Sequence, residues 1–198
     1  MQATRNAAHI GYPTFMPGHM RYRRCPMCSG ELVPDRDVDG HLRPTCATCN
    51  WTYYPSNVLG VVIVVTTPGG VVFLFPPGEP PESPAALPAG CVEFGETLEE
   101  AVAREAREET GLEVKITREL RGRWFDRDCA LGPMMSFFFE ARAVGGALRG
   151  AAEGRVATFR NGSFPVISPN RAGSRLALAA YIAARTELRR GTDQLRRR

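Results

Sequence analysis

A run of β-branched residues begins at Val58 and reads Val-Leu-Gly-Val-Val-Ile-Val-Val-Thr-Thr. Apolar residues without polar alternation are typical of a strand that is buried on both faces. Pro68-Gly69-Gly70 interrupts the run, and a second apolar segment, Val71–Phe75, follows at once. Two such segments around a Gly pair predict a β-hairpin.

A helix is predicted over residues 97–110. Thr97 followed three residues later by Glu100 has the spacing of a capping box, which starts a helix at about residue 98. Gly111 is placed to end the helix in a left-handed cap. The apolar residues available for its buried stripe are Leu98, Ala101, Val102 and Ala106.

The remaining pattern mixes strands with a second helix. Strands are predicted near 113–125, at Met134–Val144 and at Val156–Phe159, and a terminal helix over Gly173–Arg190. The predicted apolar face of the terminal helix consists of Leu176, Ala180, Ala183 and Ala184. Strands mixed with two helices predict an α/β or α+β domain.

The 198 residues correspond to one domain with a small appendage. We expect a loose N-terminal arm (1–20), a small metal ribbon (21–55), a main domain (56–190) and a basic tail (191–198). The composition, 43% hydrophobic and 23% charged, excludes a wholly disordered chain. No apolar stretch approaches the roughly 18 residues of a membrane-spanning helix, and the first residues lack the apolar region of a secretory leader.

The net charge of +4 conceals an uneven distribution of charge. Residues 58–112 contain nine glutamates and two arginines. Residues 113–198 contain sixteen arginines, one lysine and eight acidic residues. An acidic middle between basic flanks is a charge layout that calls for an explanation.

Four of the six cysteines form two C-x2-C pairs, Cys25/Cys28 and Cys46/Cys49. Seventeen residues separate the pairs, which is the spacing of a structural zinc site with four sulfur ligands. We therefore predict a closed, structural Zn²⁺ ribbon; two disulfides or a redox pair are the alternatives. A cytoplasmic setting follows from the zinc interpretation. The other two thiols, Cys91 and Cys129, are interpreted as small apolar residues, and His41 as a surface histidine.

Three carboxylates of the predicted helix converge on one face. Glu105, Glu108 and Glu109 stand at i, i+3 and i+4, so their like charges would repel one another in the absence of a cation. Oxygen ligands in this arrangement suit Mg²⁺ or Mn²⁺. The alternative from the residues alone is a solvated acidic surface with pairs such as Glu100–Arg104.

The segment from Gly90 to Leu112 resembles the Nudix box, G-x5-E-x7-R-E-U-x-E-E-x-G-U, in which U is apolar. The fixed positions are occupied by Gly90, Glu96, Arg104, Glu105, Glu108, Glu109, Gly111 and Leu112, with Ala106 at the inner apolar position. Ala89 departs from the second glycine that many members carry there. The likeness extends over about 58–185 and implies the Nudix fold, a mixed β-sheet sandwiched between helices.

The resemblance also implies an activity: hydrolysis of a nucleoside diphosphate linked to another moiety X, with a divalent cation as cofactor. Glu105, Glu108 and Glu109 match the metal ligands of the family, and the Gly90 carbonyl matches a backbone ligand of some members. Arg104 matches the arginine that orients a catalytic glutamate. Glu96 matches a glutamate that supports the loop–helix geometry and in some members the metal.

Many members use a further acid from a late loop. Glu153 is the first candidate for this role, because it precedes the predicted strand Val156–Phe159. Glu140 is the second candidate, and its place in an apolar run predicts that it faces outward from a strand.

A zinc ribbon before a Nudix domain is similar to the arrangement in the NADH pyrophosphatase group, and Tyr54-Pro55 adds to this likeness. The S-Q-P-W-P-F-P-x-S motif of that group is missing, with Trp124-Phe125 as a faint echo. We take Arg123, Trp124 and Phe125 as candidate substrate-binding residues. Nucleotide sugars, ADP-ribose and dinucleotides such as NADH remain open as substrates.

Two classes of function follow. The first is a metal-dependent Nudix hydrolase of a small nucleotide, with no membrane partner, no nucleic-acid partner expected and a homodimer possible through the ribbon. The second is a nucleic-acid-binding or regulatory protein whose Nudix domain senses a nucleotide, which a zinc ribbon and an arginine-rich tail would also fit.

Overall fold

The computed structural model describes residues 22–78, 83–150 and 154–196. They form eight strands and two helices. The strands are β1 (Leu32–Arg36), β2 (Leu42–Cys46), β3 (Val58–Thr67), β4 (Gly70–Phe75), β5 (Ala89–Cys91), β6 (Leu112–Asp126), β7 (Met134–Gly146) and β8 (Arg155–Phe159); the helices are α1 (Leu98–Thr110) and α2 (Ala172–Arg196).

The chain divides into two compact units. The first contains the described residues up to Asn57 together with Asp126–Pro133. In this unit β1 pairs antiparallel with β2, from Leu32 opposite Cys46 to Arg36 opposite Leu42. The second unit contains Val58–Phe125 and Met134 onward, with the remaining strands and both helices.

The second unit is built on a mixed six-stranded sheet in which five strands follow the order β6-β7-β3-β4-β8 and the sixth, β5, pairs with β3. The central strand β3 runs parallel to β7 and antiparallel to β4 and β5. The predicted hairpin is confirmed, but β3 and β4 pair only at their tip, where Thr66 lies opposite Val71. Beyond the tip the segment from Ala85 enters between them, since Ala86 bridges to Leu74 and β5 pairs with β3.

Side chains of β3 alternate between two apolar cores, one on each face of the sheet. The core on the α2 face contains Val62, Val64, Phe73, Phe75, Phe138, Ala177, Leu178 and Tyr181. The core on the α1 face contains Val61, Ile63, Val65, Val72, Ala101, Val102, Ala106 and Phe139. Because both faces are covered, the strand can be apolar throughout, and the predicted sheet between helices is confirmed.

Helix α1 has the predicted ends. The Thr97 hydroxyl accepts from the Glu100 N–H, the Glu100 side chain accepts from the Thr97 N–H, and Gly111 closes the helix at φ 72°. The predicted stripe of Ala101, Val102 and Ala106 is buried. Packing of this stripe on the sheet leaves the charged face of the helix turned toward the loop that contains β5.

Helix α2 is longer than predicted and continues to Arg196, six residues beyond the predicted end. Its predicted apolar face is half confirmed, since Ala180 and Ala184 pack against the α2-face core. Leu176, at 43% exposed, and Ala183 are exposed instead, and the fully buried apolar residues are Ala177, Leu178 and Tyr181. None of the helices in the described part of the chain combines the length and apolar composition needed to cross a bilayer.

Candidate functional site

The two cysteine pairs form two turns with matching backbone hydrogen bonds. In the first, the Ser29 N–H donates to the Cys25 carbonyl at 2.8 Å; in the second, the Asn50 N–H donates to the Cys46 carbonyl at 3.0 Å. Ser29 and Asn50 share a left-handed backbone, with φ of 61° and 60°. These repeated turns point both sulfur atoms of each pair toward one centre.

The four sulfur atoms lie together without forming disulfides. Cys25 and Cys49 approach to 3.6 Å and Cys28 and Cys46 to 3.4 Å between sulfurs, and all four lie within 4.8 Å of one another. A disulfide requires about 2.05 Å, whereas sulfurs on a tetrahedral zinc at about 2.3 Å are roughly 3.8 Å apart. The donor set and its spacing therefore fit one zinc ion.

Backbone N–H groups of the second turn favour the thiolate form of Cys46. The N–H groups of Cys49 and Thr48 point at its sulfur, at 3.5 and 3.4 Å. These donors, Cys49 first, lower the pKa of the buried Cys46 thiol to about 6. A thiolate at neutral pH is the form that binds zinc.

A second group of metal-binding residue types, Asp37, Asp39 and His41, also lies in the first unit. The Asp37 carboxylate accepts from the N–H groups of Asp39 and His41 and from Arg43 Nε at 3.1, 2.8 and 3.0 Å. These bonds close the turn between β1 and β2. The His41 side chain is 66% exposed, as predicted for a surface histidine.

In the second unit, β5 brings Gly90 against α1. A Cβ atom at Gly90 would overlap the carboxylate of Glu105. This close approach explains why a residue without a side chain is needed at the start of the box. It also places the Gly90 backbone beside a carboxylate, the combination that the family resemblance assigns to a metal.

Arg104 connects this loop to the helix through five hydrogen bonds. It donates from Nε and Nη2 to the two oxygens of Glu96, at 2.7 and 2.9 Å, and from Nη2 to the Cys91 carbonyl at 2.8 Å. Its Nη1 donates to Glu105 at 2.6 Å and to Glu108 at 3.2 Å. The guanidinium thus lies between the two carboxylates and offsets their repulsion.

Glu96 is engaged on both oxygens, because Oε2 also accepts from the Glu93 N–H at 2.9 Å. The Arg104 guanidinium, and then the Glu93 N–H, lower the pKa of Glu96 to about 2. This arrangement favours the supporting role of Glu96 over direct contact with a metal.

The other two acids of the box are arranged differently. Glu109 accepts from the Ala89 N–H at 2.8 Å, so it binds the backbone one residue before Gly90. The Glu108 side chain is 54% exposed, the most accessible of the carboxylates that contact Arg104. Partial burial raises the pKa of Glu105 despite its contact with Arg104.

The donor set fits a hard divalent cation. Glu105 lies against Gly90 and Glu109 accepts from the neighbouring Ala89 N–H, and Mg²⁺ prefers carboxylate and carbonyl oxygens of this kind. In the described residues the three side chains are not yet within 4.8 Å of one another as a group. Arg104 occupies the space between Glu105 and Glu108.

The structure separates the three candidate substrate-binding residues. The Arg123 guanidinium lies over the Phe137 ring, 5.3 Å from its centroid, and Phe137 packs against the α1-face core. Trp124 packs against the α2-face core. Because successive residues of a strand point to opposite faces, Arg123 and Trp124 do not line a common surface.

Glu153 and Glu140 are the two candidates for an acid from a late loop. Glu153 lies outside the described residues. The prediction that Glu140 faces outward is wrong, since it is 7% exposed on β7. Its Oε2 lies 3.0 Å from Arg118 Nε, at an angle that is not that of a hydrogen bond, and its Oε1 lies 3.9 Å from Arg185. Cation partners on β6 and α2 hold Glu140 on the α2 face.

Sequence reasoning missed two backbone groups of the site, the Cys91 carbonyl and the Ala89 N–H. Backbone groups leave no signal in a residue pattern, and only the pairing of β5 with β3 brings them to α1.

Comparison with known proteins adds independent information. The family model of the NUDIX domain matches residues 56–183. An NAD-capped RNA hydrolase, NudC, of Vibrio vulnificus is 32% identical over 127 residues, which is 60% of this chain and 47% of that protein. An ADP-ribose pyrophosphatase of Methanocaldococcus jannaschii is 45% identical over 76 residues, or 37% and 44% of the two chains. This chain thus spans about half the length of these curated relatives.

Solved structures show the same fold. A NUDIX hydrolase of Nitrosomonas europaea superposes with a TM-score of 0.62 at 24% identity, over 78% of this chain and 85% of that one. A UDP-X diphosphatase superposes with a TM-score of 0.53 at 22% identity, over 67% and 66% of the two chains.

Proposed function

The chain belongs to the NUDIX family, and we propose that it hydrolyses the pyrophosphate bond of a nucleoside diphosphate linked to another moiety X. The observation that carries the proposal is the contact of Glu105 with Gly90, braced by the five hydrogen bonds of Arg104. A solvated acidic helix needs no such contact. The contact supports a site in which a backbone carbonyl and carboxylates could bind one cation.

In the proposed reaction, a water oxygen bonds to phosphorus and the bridging P–O bond breaks, releasing a nucleoside monophosphate and X-phosphate. A bound Mg²⁺ or Mn²⁺ supplies charge neutralisation and a more acidic water. Glu105, Glu108 and Glu109 are the proposed ligands, with the Gly90 carbonyl. Arg104 orients Glu105 and Glu108, and Glu96 keeps Arg104 in place.

Glu153 is our proposal for the acid that assists the attacking water. A Glu153→Gln variant would lower kcat by about 10²–10⁴-fold and leave KM little changed if this residue acts as general base. An unchanged kcat would assign the role to a different acid.

The names of the relatives and the chain itself support a proposal for the substrate class. The names of the relatives contain NAD-capped RNA and ADP-ribose, so a dinucleotide, ADP-ribose or a nucleotide sugar is proposed. The chain lacks the NADH pyrophosphatase motif after the box. Of the three candidate substrate residues, Trp124 is the one that we retain as an aromatic contact for a base. Arg123 and Phe125 lie on the face of β6 opposite Trp124, so we keep them as candidates only for a second substrate-binding surface.

We propose a structural role for the zinc ribbon, because sulfur would fill all four positions of the ion and leave none for substrate. The boundaries at residues 20, 55 and 190 are proposed with it.

The test is a panel of NADH, ADP-ribose, UDP-glucose, NAD-capped RNA and nucleoside triphosphates with Mg²⁺. Wild-type protein should release a nucleoside monophosphate from at least one compound of the X-linked type. Glu108→Gln is the matched inactive variant, and Glu99→Gln, an exposed glutamate on the same helix, should keep its activity.

The alternative is a nucleotide sensor. Tight binding of a panel compound without turnover, in protein that contains both metals, would favour the sensor and contradict the hydrolase.

A further inference from the structure

A groove on the α2 face of the second unit is not used by the box. It consists of two adjoining cavities of about 420 and 370 Å³. They share Asn161, Tyr181 and Arg185 in their linings. Ligand pockets in proteins usually measure about 300–1,000 Å³, so together they are large enough for a small molecule.

One cavity has an apolar wall. Phe164, which packs against Phe73 with ring centroids 5.6 Å apart, and Ile182, which is 47% exposed, line it beside Asn161. An apolar wall next to a side-chain amide suits a heteroaromatic ring, since the ring packs on the wall and the amide pairs with its polar edge.

The other cavity carries positive charge. Arg160 and Arg185 line it next to the tip of the hairpin, at Thr67 and Gly70. Among the described residues, the Arg160 guanidinium takes part in no ion pair. A guanidinium fork matches the oxygens of a phosphate, so the two arginines suit a phosphoryl group.

Arg185 is held in position before any ligand binds. Its guanidinium lies over the Tyr181 ring, 5.4 Å from the centroid, and 3.9 Å from Glu140. Glu140 is already paired with Arg118 at 3.0 Å, so it is shared between two arginines. The described lining of the groove contains Arg160 and Arg185 and no acidic residue, so the groove is positively charged.

The groove is separate from the loop that contains β5 and Gly90. Val61 pairs with Gly90, while Thr66, five residues further along β3, lines the groove. At a strand rise of about 3.3 Å per residue this separation is roughly 17 Å. The lining of the groove and the pairing partner of Gly90 are therefore well separated along β3.

We propose that this groove, defined by Arg160, Asn161, Phe164, Ile182 and Arg185, binds a nucleoside phosphate unit outside the box. The ring lies against Phe164 and Ile182, and the phosphate lies between Arg160 and Arg185. The unit comes either from a free nucleotide or from a nucleotide of a longer chain, and the two sources share this chemistry.

The test measures binding of two probes, AMP and fluorescein-labelled oligoadenylate of five residues, without divalent cation, in wild type and four variants. Arg160→Ala should weaken binding of at least one probe about tenfold, because a charge-assisted hydrogen bond contributes about 1.5 kcal/mol or more. Ile182→Glu should also weaken binding of at least one probe about tenfold, because it puts a negative charge on the apolar wall of a groove that holds an anionic ligand. Arg107→Ala, an exposed arginine on α1, and Glu108→Gln should leave binding unchanged.

The outcome for each probe distinguishes the source. Loss confined to AMP supports a free nucleotide, loss confined to the oligonucleotide supports a chain, and loss of both supports the shared chemistry. Binding that Glu108→Gln changes but Arg160→Ala and Ile182→Glu do not, or the absence of any binding, overturns the proposal. Turnover of the substrate panel is a separate measurement, so the binding result tests the groove even if the hydrolase proposal fails.

Discussion

Arg104 and Glu96 are joined by two hydrogen bonds, from Nε at 2.7 Å and from Nη2 at 2.9 Å, in the bidentate geometry of a guanidinium and a carboxylate. The pair spans the loop and the first half of α1. The same guanidinium also bonds Glu105, Glu108 and the Cys91 carbonyl, so loss of the Glu96 pair would loosen the position of Arg104 between these groups.

The Arg104–Glu96 pair predicts a dependence of stability on pH. The pKa of Glu96 is about 2 in the folded chain and 4.5 ordinarily, so the pair stabilises the fold above about pH 4.5 and the effect is lost as the pH falls toward 2. Wild type should therefore lose unfolding free energy as the pH falls from 4.5 to 2. Glu96→Gln has no carboxyl group to protonate at this position, so it should lose less unfolding free energy over the same range. Chemical denaturation at several pH values checks this, with Glu99→Gln as control. Parallel curves for wild type and Glu96→Gln would contradict it.

Gly90→Ala tests the close approach to the metal-binding helix. The added Cβ must displace the Glu105 carboxylate. A shift of about 1 Å at a reacting centre costs roughly 10²-fold in rate, so kcat should fall by about that factor while the melting temperature changes little. Ala89→Gly, one residue earlier, is the matched control and should retain activity. Equal kcat for the two variants would count against the site.

Zinc content tests the ribbon. The purified chain should carry about one zinc ion, as a closed four-sulfur site requires. Cys49→Ser should lose most of the metal, whereas Cys129→Ser should keep it; elemental analysis and colorimetric release measure both. Metal-free protein whose mass shows two disulfides would refute the ribbon.

The capping box contributes to stability independently of catalysis. Thr97→Ala removes the acceptor for the Glu100 N–H and should cost about 1 kcal/mol of unfolding free energy. Thr97→Ser retains the hydroxyl and should cost much less. Urea denaturation compares the two, and an equal loss in both would show that the methyl group, not the hydrogen bond, matters.

Local features of the chain were predicted from the sequence because neighbours in sequence create them. The hairpin at Gly69-Gly70, the cap at Thr97 and the turn out of α1 at Gly111 depend on residues within a few positions of one another. The box spacing likewise identified the acids that α1 presents on one face. Turn and capping residues were enough for the local features, and the resemblance to the Nudix box singled out the acids.

The tertiary structure decided which residues are buried where the sequence pattern allowed more than one choice. Residues 176–184 of α2 are apolar on every side, so only the packing against Phe73 and its neighbours selected Ala177, Leu178 and Tyr181. Glu140 became buried because Arg118 and Arg185 come to it from other elements. The sequence by itself determined the fold class, the cysteine pairs and the acids of the box. Contacts between distant segments determined which faces are buried and where charges are paired, because burial and pairing depend on neighbours that sequence spacing does not specify.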